Sequence, residues 1–343
     1  MRQYKWIKRK KNTECTKRGL WLPYVLRACA MLVCGLLLWG CGSREQGTVR
    51  VGSLKGPTSL GLLFMMDKAE KGETASAYEF QMAVGAEELL ALMAKGELDI
   101  ALVPANVAAV FYQRTEGGVR VIDINTLGVL YVVTGSGDVG SVADLEGRTI
   151  YLTGKGATPE ASLKYILGQN GLAEGDYTLE YKSEATEVAA VLAEHPEAVG
   201  LLPQPFATAA MMQNQELEAV LDMNGEWESL TGAAGGMVTG VTIVRKEFLE
   251  EHEEEVREFL KEHGESAAAV NSDPQTGASL AAAAGIVAKE EIARQAIPLC
   301  NITCITGEEM KEMLEGYLRV LEGFDKELVG GSLPEADFYF DGQ

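Results

Sequence analysis

Four short stretches carry side chains suited to holding a small solute: Lys55-Gly56-Pro57-Thr58-Ser59, Pro104-Ala105-Asn106, Thr153-Gly154-Lys155-Gly156-Ala157-Thr158 and Pro203-Gln204-Pro205. In each, an apolar run gives way to small or turn-forming residues with hydroxyl or amide groups, and a helical pattern follows. Glycine lets backbone approach a ligand closely. A helix N-terminus offers unpaired N–H groups that favour an anion by about 0.3–1 kcal/mol. The chemistry on offer is recognition: Thr58, Ser59 and Asn106 from one side of a cleft, Thr153, Thr158 and Gln204 from the other. Thr134, ending a further apolar run, joins these candidates. Lys55 and Lys155 are the only cations in the four stretches and suit a carboxylate, sulfonate or phosphate. Each position also has a plain alternative, since helix capping accounts for Thr58 and Thr158 and solvation for the lysines.

Bond-breaking chemistry finds no matching pattern. Gly154-Lys155-Gly156 lacks the spacing of a phosphate loop, and Gly135-Ser136-Gly137 lacks the third glycine of a dinucleotide fingerprint. His252 and His263 fall on a Glu-rich helical stretch read as a solvated face, and His195 precedes Pro196 in a turn. No histidine pairs with a nucleophile in sequence terms, so neither an enzyme nor a cofactor is expected.

These stretches need a scaffold of alternating strands and helices. The patterning predicts strands over 49–54, 80–84, 98–103, 119–124 and 127–133, with helices over 58–71, 86–95 and 106–114 between them. It then restarts with strands over 148–152, 178–182, 198–202 and 217–222 and helices over 158–169, 184–193 and 205–213. A strand over 238–244 leads into a charged helix over 246–263, and the rest, to about residue 328, is mostly helical. Alternation of this kind predicts two α/β lobes built on parallel sheets covered on both faces. In such sheets ligands bind beyond the carboxyl ends of the strands, where the four stretches lie.

The first 40 residues place the protein. A leader with nine Lys or Arg precedes the apolar run 28–39, which ends in Leu38-Trp39-Gly40-Cys41. The run is too short to span a membrane, which takes about 20 apolar residues, and the pattern is that of a secretory signal. Its end resembles a bacterial lipobox, in which Cys41 takes a lipid and becomes the new N-terminus. Residues 41–343 are then expected on the extracellular face of the cytoplasmic membrane, or in a periplasm, tethered through Cys41. Without the leader the chain carries 21 basic and 49 acidic side chains. Such a surface repels nucleic acid and anionic headgroups. Of the six cysteines, only Cys300 and Cys304 then remain free to pair, in a turn or not at all. Zinc is not expected, because none of the three histidines lies near them in sequence.

The lipobox, Leu98-Asp99-Ile100-Ala101-Leu102-Val103, Ser141-Val142-Ala143-Asp144-Leu145-Glu146-Gly147-Arg148-Thr149-Ile150 and Val241-Thr242-Ile243-Val244-Arg245-Lys246-Glu247-Phe248-Leu249 occur in that order. Together they resemble substrate-binding proteins of ABC transporters, nearest the nitrate/sulfonate/taurine and thiamine-precursor binders. The resemblance spans about residues 48–325. It implies an α/β, two-lobe, type II periplasmic-binding-protein fold with two crossovers, at 127–134 and 236–244, and a central cleft. The lobes would be 41–133 with 237–343, and 134–236. A monomer would close on a sulfonate, small oxyanion or pyrimidine-like ring and deliver it to a permease and its ATPase. A sensory lipoprotein, an enzyme on the same fold and a binder serving a TRAP-type transporter are the alternatives. Many relatives place an acidic residue where Gln204 precedes Pro205-Phe206, so this pocket has lost a negative charge. The cysteine-rich, iron-binding motif of related thiamine-precursor synthases is missing, and their chemistry is not carried over. Phe111, Tyr112, Tyr131 and Phe206 serve either as core or as stacking surfaces for a ring.

Overall fold

The computed structural model describes residues 47–232 and 235–342. The leader, the apolar run and Cys41 lie outside the described residues. No described helix is long and apolar enough to cross a membrane.

Strands β1 (Val49–Leu54), β2 (Tyr78–Ala83), β3 (Ile100–Pro104), β4 (Val119–Thr126), β10 (Gly240–Arg245) and β11 (Ile302–Ile305) form one sheet in the order β11-β4-β10-β3-β1-β2. Strands β5 (Leu130–Thr134), β6 (Thr149–Leu152), β7 (Thr178–Tyr181), β8 (Val199–Pro203) and β9 (Glu218–Asp222) form a second, in the order β7-β6-β8-β5-β9. Central strands such as β3 and β8 are near-continuous buried apolar runs, as strands covered on both faces must be.

Both sheets are mixed, which corrects the expectation of parallel sheets. β5 runs antiparallel to β8 and β9, and β10 antiparallel to β3 and β4. The cause is the route of the chain. It passes from β4 to β5 through 127–129 and returns to β10 through the segment ending at Thr239, so each receiving strand starts where its neighbours end. All of β5 pairs in the second sheet, including its residues before 134.

The two passages lie side by side. A Cβ on Gly128 would stand 2.4 Å from Met237 Cε and 2.8 Å from Asn224 Cβ. Asn301, in the left-handed region that asparagine tolerates, clamps the first passage. Its carbonyl accepts from the Leu127 N–H at 3.1 Å, and its side-chain amide donates to the Gly128 carbonyl at 2.6 Å.

Helix α1 (Leu63–Glu70) follows a 3-10 turn over Pro57–Leu62, whose cap is Gly56 and not Thr58. Helices α2 (Ala86–Ala94) and α3 (Ala105–Arg114) complete the first crossovers. The second sheet carries α4 (Thr158–Gln169), α5 (Ala185–Glu194), α6 (Phe206–Gln213) and α7 (Met223–Thr231). The single helix expected over 246–263 is two, α8 (Lys246–Glu251) and α9 (Glu253–Ser272), broken at His252. Helices α10 (Pro274–Ala283), α11 (Glu290–Ala296) and α12 (Gly307–Phe324) follow. α12 packs on β4 and α3 and also on α4, so it bridges the elements of both sheets.

His263 corrects the solvated-face reading. It is fully buried, on the apolar stripe Val256-Phe259-His263-Ala267-Val270 of α9, and its Nδ1 lies 3.2 Å from Asp123 Oδ2 on β4. Cys300 and Cys304 are both free thiols, and burial pushes the Cys300 thiol up to about 12.

A second buried carboxylate, Asp99, ties three strands together. It meets Arg50 on β1 at 2.6 Å and Arg245 on β10 at 3.0 Å. Burial alone would raise its carboxyl, but the hydrogen bonds from Arg50 and then Arg245 outweigh that and hold it below the ordinary value. A depressed carboxyl contributes stability above its unfolded value of about 3.9, lost as pH falls through the folded value. Denaturant midpoints of the wild-type chain are therefore expected to drop below about pH 4. Asp99→Asn, which costs stability at neutral pH, should flatten that part of the profile.

Candidate functional site

A cavity of about 220 Å³ lies where the two sheets face each other. Its walls come from strand ends and helix starts, as the topology requires. Pro104 and Asn106 stand at the β3–α3 junction, Thr153, Thr158 and Pro159 at β6–α4, and Leu201 and Pro203 at the end of β8. The passages contribute Val129, Leu130, Met237, Val238 and Thr239, and α12 contributes Tyr317.

Three of the expected contacts therefore line the cavity: Asn106, Thr153 and Thr158. Thr158 is the first residue of α4 and not its cap, the cap position being Ala157. Ser162, one turn further along α4, also lines the cavity and lies 3.3 Å from the Tyr317 hydroxyl. Burial pushes the Tyr317 phenol up to about 12, against a smaller downward pull from Ser162, so it is protonated at neutral pH. It closes one wall as an uncharged ring with a polar tip.

The other expected contacts fall elsewhere. The Ser59 hydroxyl is buried and engaged with Ser53 Oγ at 2.6 Å and with the Leu54 carbonyl. Thr58 and Gln204 are buried and do not line the cavity, Thr58 Oγ1 and Gln204 Nε2 each without a hydrogen-bond partner. Gln204 Oε1 accepts from the Thr208 hydroxyl at 2.8 Å. Thr134 is at the wrong end of its strand. β5 begins at the cleft, so its last residue points away, and Thr134 Oγ1 accepts from the Ser136 N–H at 3.0 Å.

The two lysines also lie outside the cavity lining. Lys55 is exposed and Lys155 sits over the Tyr181 ring at 5.4 Å, neither lining the cavity. Among the described residues no Lys, Arg or His lines it. Nor are the helix starts open to an anion throughout. The Ala105 N–H donates to the Thr239 carbonyl at 3.1 Å, and the Gly156 N–H donates to Glu160 Oε2 at 2.7 Å. Burial would raise the Glu160 carboxyl, but the Gly156 amide and Lys164 outweigh it and keep it ionised below its ordinary value. The loop before α4 thus already holds an anion of its own.

None of the four aromatics weighed from sequence lines the cavity. Tyr131 donates to the Leu299 carbonyl at 2.9 Å, Tyr112 packs on Phe338, and Phe206 is on the surface. Sequence reasoning missed Tyr317, Ser162 and Thr239. Ser162 was readable as the i+4 neighbour of Thr158 on one helix face. Tyr317 belongs to the buried stripe Met310-Met313-Leu314-Tyr317-Leu321 of α12, which reads as core alone.

Solved structures share this architecture. An ABC transporter protein from Parabacteroides distasonis aligns at a TM-score of 0.73 with 23% identity, over 86% of this chain and 99% of that one. The periplasmic aliphatic sulphonate binding protein SsuA from Escherichia coli aligns at 0.67 with 15% identity, over 85% and 92%. The alkanesulfonate-binding protein SsuA from Xanthomonas axonopodis, bound to MOPS, aligns at 0.58 with 14% identity, over 85% and 96%. The fold is that of the two-lobe periplasmic binding proteins, with two crossovers and the cavity in the cleft. No curated protein sequence matches the chain. Residues 60–297 match the family model described as menaquinone biosynthesis, and the chain belongs to that family.

Proposed function

We propose that this protein is a lipid-anchored, extracellular solute-binding protein that hands a small molecule to the permease and ATPase of an ABC importer. The moving lobes would be 47–126 with 240–342, and 130–231, with solute held between them by hinge closure. The observation that carries this reading is the cleft cavity, whose hydroxyl and amide groups come from both sheets. Asn106 and Thr239 belong to one side, Thr153, Thr158 and Ser162 to the other. A ligand touching both sides stabilises the closed form by its differential contacts.

The lining favours an uncharged or weakly charged, flat solute over a sulfonate. It is rich in proline and aliphatic side chains, holds a tyrosine ring, and carries no cation among the described residues. At interior packing density the cavity suits on the order of ten non-hydrogen atoms. A thermal-shift screen of pyrimidines, vitamins, sulfonates and nitrate tests this. A binder at 100 times its dissociation constant adds about 2.7 kcal/mol of stability. Pyrimidine-like rings are expected to score; a sulfonate or nitrate as the best binder would overturn the solute class. With a hit in hand, Thr158→Val should weaken affinity about tenfold, near 1.4 kcal/mol, because it removes one hydroxyl without changing shape. The unfolding midpoint of the free protein should barely move.

The description of the matched family favours a second reading, an enzyme of menaquinone biosynthesis using the same cavity. Mass spectrometry of the bound solute after incubation separates the two. A carrier returns it unchanged, whereas a product peak that grows with time supports the enzyme.

A further inference from the structure

Asp123, His263 and Cys304 come from three elements, β4, α9 and β11, and meet in the core of the first sheet's lobe. One ligand atom from each, a carboxylate oxygen, an imidazole nitrogen and Sγ, lies within 4.8 Å of the other two. β11 pairs with β4, which carries Asp123, and α9 packs on β11, so Cys304 lies beside a histidine 41 positions earlier in the chain. We propose that these three side chains form a binding site for a divalent transition-metal ion of the zinc type.

Geometry, burial and access support it. Zinc bonds of about 2.0–2.3 Å to oxygen, nitrogen and sulfur give tetrahedral edges of about 3.3–3.6 Å. His263 Nδ1 and Asp123 Oδ2 already stand 3.2 Å apart. The thiol needs to close by at most about 1.3 Å to complete the triangle, a shift within rotamer freedom. His263 is fully buried, and its Nε2 has no hydrogen-bond partner. Nδ1, which faces Asp123, would be the ligand atom, and Nε2 would carry the ring proton. Thr242 donates to Asp123 Oδ1 at 2.9 Å, which orients the carboxylate as outer partners of metal ligands do. Cys304 lines a surface cavity of about 440 Å³ together with Leu260, Gly264 and Thr306, and this supplies an entry path.

Charge balances as well. A divalent ion with the Asp123 carboxylate, a Cys304 thiolate and a neutral imidazole makes a site of zero net charge, the thiol proton leaving to solvent. Three protein donors leave a fourth position for an exogenous ligand.

The test uses the full chain stripped of metal and titrated first with Co²⁺ and then with Zn²⁺. One Co²⁺ per chain should bind with an intense near-ultraviolet thiolate-to-cobalt band that Zn²⁺ abolishes. Cys304→Ser should lose the band, and His252→Ala, a change at the surface, should keep it. Should Cys304→Ser fail to fold, alkylation of Cys304 in the wild-type chain, read peptide by peptide, gives the answer, since Zn²⁺ should slow it. A band that survives in Cys304→Ser overturns the proposal. So does Cys304 alkylation at the same rate with and without Zn²⁺, which would leave a buried Asp123–His263 hydrogen-bonded pair beside a thiol.

Discussion

Trp227→Ala is expected to lower the free energy of unfolding by about 3–5 kcal/mol, the range for truncating a large buried aromatic. Trp227 on α7 is among the largest fully buried side chains. Its ring centroid lies 4.6 Å from that of Tyr165 on α4 and 5.3 Å from that of Tyr317 on α12. The three rings join helices that belong to different lobes in the proposed division, and Tyr317 presents its other side to the cavity. Truncation therefore removes core volume and the support behind a cavity wall together. Denaturant unfolding measures the first effect, and titration of a solute identified by thermal shift measures the second. Trp227→Phe keeps an aromatic face and should recover most of both. Unchanged solute affinity in a folded Trp227→Ala protein would mean that Tyr317 is held in place by Ser162 and α12 alone.

The parts of this site that could be read from sequence are those whose signal is local. The junctions after β3 and β6 were legible because an apolar strand, a glycine or proline and a helix start follow one another within a few residues. Asn106, Thr153 and Thr158, which line the cavity, stand at these junctions. Local signals do not say which way a hydroxyl points. Ser59 and Thr158 occupy similar positions at helix starts, yet Ser59 turns inward to Ser53 and Thr158 faces the cleft. Strand direction was hidden for a related reason. β5 and β10 look like their neighbours, and only the route of the chain through the two passages makes them antiparallel, which moved Thr134 to the far end. Tyr317 and Cys304 depend on long-range packing, since each meets its partners across more than forty residues of chain. His263 was within reach of sequence reasoning. The stripe through Val256, Phe259, Ala267 and Val270 passes through it, but the surrounding glutamates obscured that period.

Removing the Asp123 carboxylate should be as costly as losing Trp227. Asp123 and His263 are both fully buried, and Asp123 accepts from His263 and from the Thr242 hydroxyl. Asp123→Ala strips both of their partner and leaves a cavity, so a loss of about 3–5 kcal/mol is expected in metal-free buffer. Breaking one side of a buried pair costs more than replacing both sides, because the surviving partner stays desolvated with nothing to pair with. Asp123→Leu combined with His263→Phe should therefore be less destabilised than the sum of the single changes, with a coupling of about 1–3 kcal/mol in a double-mutant cycle. Simple additivity would show that the two side chains do not act as a pair. The same cycle run with Zn²⁺ adds a separate readout, since an ion that binds only the folded form raises the midpoint of the wild-type chain and of none of the three variants. Stability that couples the pair without any response to Zn²⁺ would assign Asp123 and His263 to the core alone.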